Sequence, residues 1–421
     1  MSIRRLLLII SVIIAFYFIS RRSKSVHSSR TTTSITFLVV DRQSNKTILD
    51  LTGEYQALSS KQTIPTPVKK YTIENIYFLL TTNTLRTRYT INFMKFWLTS
   101  PSIHCLILFE ERDLNQREWT RHHLKNNQIP CRIEQSSIQR FEERYFQLID
   151  YAWTILHERN HSNIEWFAIG DDDTLWFIDN LLAILQQYNS SNMIYLGNTS
   201  DRNETIRNHG NYYAYGGGGI LLSKALILHV ANSSQICLKK YKQMFGGDEI
   251  IGKCLTEFFR INFTLNEHFH QIDHAGDLEG FFQSGIDGLV SLHHLFTMWE
   301  PFPIEHLEAE VDILNLLALA YGILKDDFLK RFVRRNYRTN QTLLLTNGYS
   351  LSIYDRLVSG EELDRIELTW NNSQFYGRKT RKKETKKIVF FFKQFYSSTT
   401  GHSAIYQYHQ HQIEIHRIDH Q

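Results

Sequence analysis

Between residues 71 and 303 the chain alternates short apolar blocks with longer stretches in which apolar positions recur every three or four residues. The blocks at 76–80, 104–109, 131–134 and 166–169 predict strands, and the unbroken apolar run at 166–169 predicts burial on both faces. An amphipathic helix is expected up to Trp97. Phe141, Tyr145, Leu148, Ala152, Trp153 and Leu156 repeat at helical spacing and predict a core-facing helix over 139–159. Another helix is expected over 178–188. Such alternation implies an α/β domain built on a parallel or mixed sheet. After Pro303 the pattern changes: 304–332 reads as helical, 343–354 as strand and turn, and 382–387 as a solvated basic run. The His-rich end, 402–421, has no fixed metal spacing and reads as poorly ordered.

The segment ahead of this domain is different. Arg4 and Arg5 precede an apolar stretch over 6–19, and Arg21, Arg22 and Lys24 close it. It is short for a span, which takes roughly 17–25 apolar residues, and it lacks the small residues that precede a signal-peptide cleavage site. An uncleaved signal anchor is expected, with a cleaved signal peptide as the rival. Residues 25–70 are rich in Ser, Thr and Lys, with Pro65 and Pro67, a composition that reads as a stem without a core. The expected organisation is therefore a cytoplasmic stub and anchor at 1–24, a stem at 25–70 and the main domain at 71–303. A helical and strand extension at 304–395 and a disordered tail at 396–421 follow. A single-pass type II protein with its body in the lumen of the Golgi or endoplasmic reticulum fits this order, and nine Asn-X-Ser/Thr acceptors lend mild support.

Charge and cysteines narrow the function classes. A net charge of +4 over 421 residues is too small to argue for nucleic acid. Cys105, Cys131, Cys237 and Cys254 contain no Cys-X-X-Cys pair, so a zinc site of that type is not indicated. In an oxidising lumen they would tend to pair. Cys237 and Cys254 bracket an acidic motif, which suggests a loop-closing disulfide and leaves Cys105 with Cys131. Buried free thiols are the alternative.

Three motifs carry candidate chemistry. Asp171, Asp172 and Asp173 follow the apolar block at 166–169 and Gly170, at the carboxyl end of a predicted strand, where open α/β sheets place their ligands. Adjacent carboxylates repel and call for a hard divalent cation. An acidic surface turn is the competing reading, and apolar residues at both borders argue against it. Next, glycines 216–219 lie between Tyr215 and Ile220, which favours close backbone approach to a ligand over a flexible linker. Finally, Asp248 in GGDEIIGKCL starts a predicted helix, where an aspartate is a favoured N-cap as well as a candidate base. His293 and His294 are adjacent; on a strand they would face opposite ways, so at most one would reach a given site.

In order and spacing, these motifs resemble the Fringe-like β1,3-glycosyltransferases, which include Fringe and the core-1 β1,3-galactosyltransferases. The resemblance rests on Thr81-Thr82 with Arg86 and Arg88, Arg144-Tyr145-Phe146, WFAIGDDDTLWF, YGGGGILLSKAL, GGDEIIGKCL and VSLHHL. FHQ, SLHH, WEPFP and LTNGYSLSIY look closest to an uncharacterised Fringe-related branch. The resemblance implies a GT-A type domain with a mixed central sheet. It also implies a UDP-sugar donor, Mn²⁺ or another divalent cation on its diphosphate, and a glycan or glycoprotein acceptor that gains a β1,3 linkage. Asp171, Asp173 and His293 would hold the metal, with His293 matching better than His294. Asp248 would be the catalytic base, although relatives often place the base second in an acidic pair, which keeps Glu249 open. Thr81, Thr82, Arg86, Arg88, Arg144, Asp172, Gly217 and Gly218 would serve the donor. A non-catalytic luminal chaperone or carbohydrate-binding relative is the alternative. The sugar and the acceptor are not specified by the residues.

Overall fold

The computed structural model describes residues 34–41, 53–58, 68–83, 85–98, 100–110, 114–158, 161–303, 310–371, 373–398 and 401–418. The expected anchor at 1–24 lies outside them. No helix among the described residues is long and apolar enough to cross a membrane.

A seven-stranded mixed sheet organises the main domain. Its order is Phe263–Leu265, Tyr195–Gly197, Ile220–Ser223, Trp166–Gly170, Ile76–Thr82, His104–Glu110 and Arg132–Ser136. Ile76–Thr82 and Trp166–Gly170 are buried at every position because both faces of the sheet are covered. One face packs on the helix Phe141–Leu156, whose Tyr145, Leu148, Ile149, Ala152 and Ile155 are buried; helices Lys224–Val230 and Gly247–Lys253 share that layer. The other face meets the helices Thr87–Trp97 and Ile178–Leu185, with the helix Glu310–Leu324 packed beyond them. The helix Leu114–Asn126 was not anticipated; its surface is strongly polar and gives little periodic signal. The structure pairs Cys105 with Cys131 and Cys237 with Cys254.

Strand direction gathers the three motifs. Trp166–Gly170 runs parallel to Ile76–Thr82, so Asp171 to Asp173 emerge beside Thr82. Ile220–Ser223 is antiparallel to the same strand, with Ile220 opposite Ile169, so the glycines preceding it lie at the same edge. Leu175–Trp176 pairs with Ser291–Leu292, with Leu292 opposite Leu175, and this register carries His293 to Asp173.

The second body is a closed eight-stranded antiparallel barrel, and it overturns four expectations. Its order is Ser34–Asp41, Gly53–Leu58, Arg331–Asn336, Gln341–Thr346, Ser350–Tyr354, Lys387–Ser398, Gly401–Tyr408 and His411–Ile418. The stretch read as a stem supplies two strands, and Phe37 and Tyr55 from it are buried. The end read as disordered supplies the closing hairpin, pairing Thr36 with Ile418 and Val39 with Ile415. The helix expected through 332 stops at Leu324, because Lys325 and Leu329 take positive φ and turn the chain into a strand containing Phe332. The basic run at 382–387 is not wholly solvated: Lys387 is buried between Glu279, at 2.6 Å, and Glu367, at 2.9 Å.

Candidate functional site

Asp171, Asp173 and His293 each offer a ligand atom, and the three atoms lie within 4.8 Å of one another. His293 Nε2 is 3.0 Å from Asp173 Oδ1 and 3.3 Å from Asp171 Oδ2. Its Nδ1 is 3.2 Å from the Gln271 carbonyl. A proton held on Nδ1 by that carbonyl leaves Nε2 available as a ligand. Burial disfavours charge on both partners, yet the pair overcomes it. Asp173 sits well below the usual carboxylate range because His293, with His294 and Arg86, outweighs desolvation, and His293 is pushed well above its usual value chiefly by Asp173. Two carboxylates and one imidazole form a donor set that could hold a divalent metal ion.

Asp172 has a separate role. Arg86 grips it with Nε at 2.8 Å and Nη2 at 2.7 Å, and Thr82 Oγ1 donates to it as well. Burial raises its pKa despite these partners. Arg86 also reaches Asp173 at 3.5 Å and so offsets the repulsion along the acidic run. Thr81 and Arg144 are 1% and 3% exposed and are engaged within the fold: Thr81 Oγ1 donates to the Leu108 carbonyl at 2.9 Å and accepts from Arg144 Nε at 3.1 Å, and Arg144 Nη1 donates to the Ile138 carbonyl. They brace the strand end from beneath. Arg88 is not brought to the cluster; its guanidinium lies over the Trp119 ring.

The glycine run is packed as tightly as the chemistry would require. A Cβ on Gly217 would fall 2.1 Å from His293 Nδ1. Gly218 N–H donates to Gln271 Oε1 at 2.8 Å, and Thr174 donates to the Gly217 carbonyl at 3.0 Å. Gly216 N–H donates to Asp248 Oδ2 at 2.8 Å and links the run to the second acidic motif.

Asp248 is not the N-cap of its helix. Gly246 occupies that position, and Asp248 lies in the first turn of Gly247–Lys253. Its carboxyl is buried, and burial together with the charge of Asp171 pushes its pKa up to about 7, against the lowering bond from Gly216. Glu249 is committed elsewhere: Tyr212 donates to Oε1 at 2.8 Å and Phe245 N–H to Oε2 at 3.1 Å. That leaves Asp248 as the acid facing the glycine run.

Three residues have a place at the site that the sequence does not assign them. Tyr145 carries no role in the sequence beyond its apolar stripe and the Arg144-Tyr145-Phe146 motif, yet its hydroxyl is buried beside Asp171 and Asp248, which drive its pKa further above the value burial alone gives. A hydroxyl among otherwise apolar stripe positions was the available signal. Gln271 supports both Gly218 and His293. Asp273 takes the second histidine, with His294 Nδ1 at 3.3 Å, so the adjacent histidines serve different carboxylates.

Residues 109–292 match the Fringe-like family, and residues 207–419 match the family described as "Protein of unknown function, DUF604". The chain is 34% identical over 113 residues to a beta-1,3-glucosyltransferase of Mus musculus, covering 27% of this chain and 22% of that protein. It is 24% identical over 164 residues to chondroitin sulfate synthase 3 of Mus musculus, covering 36% and 18%. The chain thus spans about a fifth of the length of these relatives. Among solved structures, a mannosyltransferase PcManGT from Pyrobaculum calidifontis in complex with GDP-Man and Mn²⁺ is loosely similar. Its TM-score is 0.32 at 7% identity, over 62% of this chain and 65% of that one. The match over 207–419 takes in half of the chain, which belongs to the family described as "Protein of unknown function, DUF604".

Proposed function

We propose that the chain is an inverting, metal-dependent glycosyltransferase with a GT-A type domain, moving a sugar from a UDP-sugar to a hydroxyl of a glycan or glycoprotein and forming a β1,3 linkage. The observation that carries this reading is the Asp171–Asp173–His293 cluster linked through the glycine run to the buried carboxyl of Asp248. A divalent cation, when bound there, neutralises charge on the diphosphate leaving group. The chain's own residues do the rest. Gln271 orients His293, Arg86 and Asp172 hold one another at the cluster's rim, and the Gly216 N–H aims the Asp248 carboxyl. Asp248 takes the proton of the acceptor hydroxyl while that oxygen bonds to the anomeric carbon and UDP departs with the electron pair. A single displacement inverts an α-linked donor to a β-product. Two disulfides support an oxidising compartment, in keeping with a type II protein of the Golgi or endoplasmic reticulum. The test is to supply the full-length protein with a panel of UDP-sugars, Mn²⁺ and mixed glycan acceptors and to score UDP release. Release that needs both metal and acceptor is expected. None from any donor would favour the non-catalytic alternative.

A further inference from the structure

Loops of the main domain and the C-terminal region enclose a cavity of about 560 Å³, well within the roughly 300–1,000 Å³ of small-molecule sites. It shares no lining residue with the metal cluster, Asp248 or the glycine run. One peptide step separates the two regions: His270 lines the cavity, while Gln271 serves Gly218 and His293. The wall is composite. Asn198, Glu267 and Asp287 come from the main domain, whereas Tyr376 and Arg378 come from the chain beyond it.

The charges in the cavity are unequally committed. Asp201 accepts from the Ile272 N–H at 3.1 Å and lies 2.9 Å from His270 Nδ1, and Asp364 is paired with Arg331 at 2.7 Å. Arg378 differs: it donates to the Ser284 carbonyl at 2.9 Å, and Asp201 and Glu267 act on it only through space, with no ion pair to it among the described residues. A guanidinium carries five donors, so several remain for a ligand. Burial and the neighbouring Arg331 charge pull its pKa below the ordinary value, as expected for a cation short of partners.

These features select one ligand chemistry. An apolar molecule would strand the ionic groups. A phosphate, sulfate or uronate drawn to Arg378 would meet Asp287 in the same cavity, and a cation drawn to Asp287 would meet Arg378. A neutral polyhydroxyl ligand suits both signs, because each hydroxyl donates to a carboxylate and accepts from the guanidinium fork. Tyr376 and Ile286 offer apolar surface to the ring carbons. We propose that this cavity is a neutral-saccharide site, distinct from the transfer site, that holds a sugar residue of the acceptor glycan away from the reacting hydroxyl. The acceptor role rests on the glycosyltransferase reading, while the binding itself is testable without it.

The test measures saccharide binding in the absence of UDP and Mn²⁺, by saturation-transfer NMR and calorimetry on the full-length chain in detergent. The neutral probes are lactose, N-acetyllactosamine, chitotriose and maltotriose, with sialyllactose and glucuronate as acidic controls. At least one neutral probe is expected to bind. Arg378→Gln and Asp287→Asn should each weaken it by about tenfold or more, the cost of losing a hydrogen bond to a charged group. Binding of UDP with Mn²⁺ should stay at the wild-type level in both variants. Asp287→Asn keeps the side chain's shape, so it remains informative if Arg378→Gln fails to fold. No binding by any neutral probe, binding by acidic probes alone, or binding that ignores both substitutions would overturn the proposal. Saccharide binding with no UDP release under any condition would keep the site and remove only its role in transfer.

Discussion

Gly217 and His293 are packed so closely that a Cβ on the glycine would overlap the imidazole, 2.1 Å from Nδ1 and 2.2 Å from Cε1. The contact explains why a glycine stands here although this position lacks positive φ. The imidazole is backed by the glycine on one side and held by the Gln271 carbonyl at Nδ1, so its Nε2 has one direction in which to point.

Gly217→Ala is therefore expected to displace His293 without unfolding the chain. Disturbing the support of a metal ligand typically costs roughly 10–100-fold in affinity. Calorimetric titration of UDP with Mn²⁺ should record that loss while thermal unfolding stays near wild type. Unchanged affinity would mean that the imidazole is not a ligand.

Asp173→Ala should be more severe, because it removes a hard oxygen and leaves His293 without its main counter-charge. Mn²⁺-dependent UDP binding is expected to disappear. Asp172→Asn should instead weaken binding only partly, since Asp172 works through its grip on Arg86. Equal losses in the two variants would contradict this division of labour.

The Cys237–Cys254 bridge closes a 17-residue separation and ties down the chain where the helix that carries Asp248 passes into the π-helical turn Cys254–Phe258. Loop-closure entropy assigns such a bridge about 3 kcal/mol. Replacing both cysteines with serine should lower unfolding stability by an amount of that order, read by guanidinium denaturation without reductant. A change within experimental scatter would show that helix packing alone fixes the segment.

The site was far more legible than the second body. Asp171, Asp173, Asp248 and His293 are marked by short motifs whose neighbours are apolar, and sheet direction then brings those motifs to one edge. The barrel depends on pairings such as Val39 with Ile415, across nearly the whole chain, and local pattern says nothing about partners so distant. The signal was nevertheless present. In HQIEIHRI, Ile413 and Ile415 alternate with polar residues and both are buried, as in a half-buried strand. The histidines on either side drew the reading toward disorder. Lys387 shows the same difficulty: a run of lysines reads as solvated until Glu279 and Glu367, remote in sequence, close around one of them.

In the proposed mechanism, Asp248 ties stability, pH and catalysis to one group. Its folded pKa is raised to about 7 from an ordinary 3.8, chiefly by burial, so the folded chain binds this proton more tightly than the unfolded chain does. The favourable contribution is full below the unfolded value and is lost as pH rises toward 7. Asp248→Asn, which cannot ionise, should therefore match wild-type thermal stability near pH 4 and exceed it progressively up to pH 8. Its transfer rate should move the other way, falling by about 10²–10⁴-fold as the proton acceptor is removed. In the wild type the rate should rise with pH as Asp248 ionises and then level off. A bound cation that screens Asp171 should shift that limb below 7, because the charge of Asp171 is part of what raises the pKa. Glu249→Gln is the matched control and should keep most activity, since Glu249 is occupied by Tyr212 and the Phe245 N–H. Rates measured from pH 5 to 9 on the two variants decide the matter. Near-normal transfer by Asp248→Asn would remove it as the base, and a dead Glu249→Gln beside an active Asp248→Asn would move the role to Glu249.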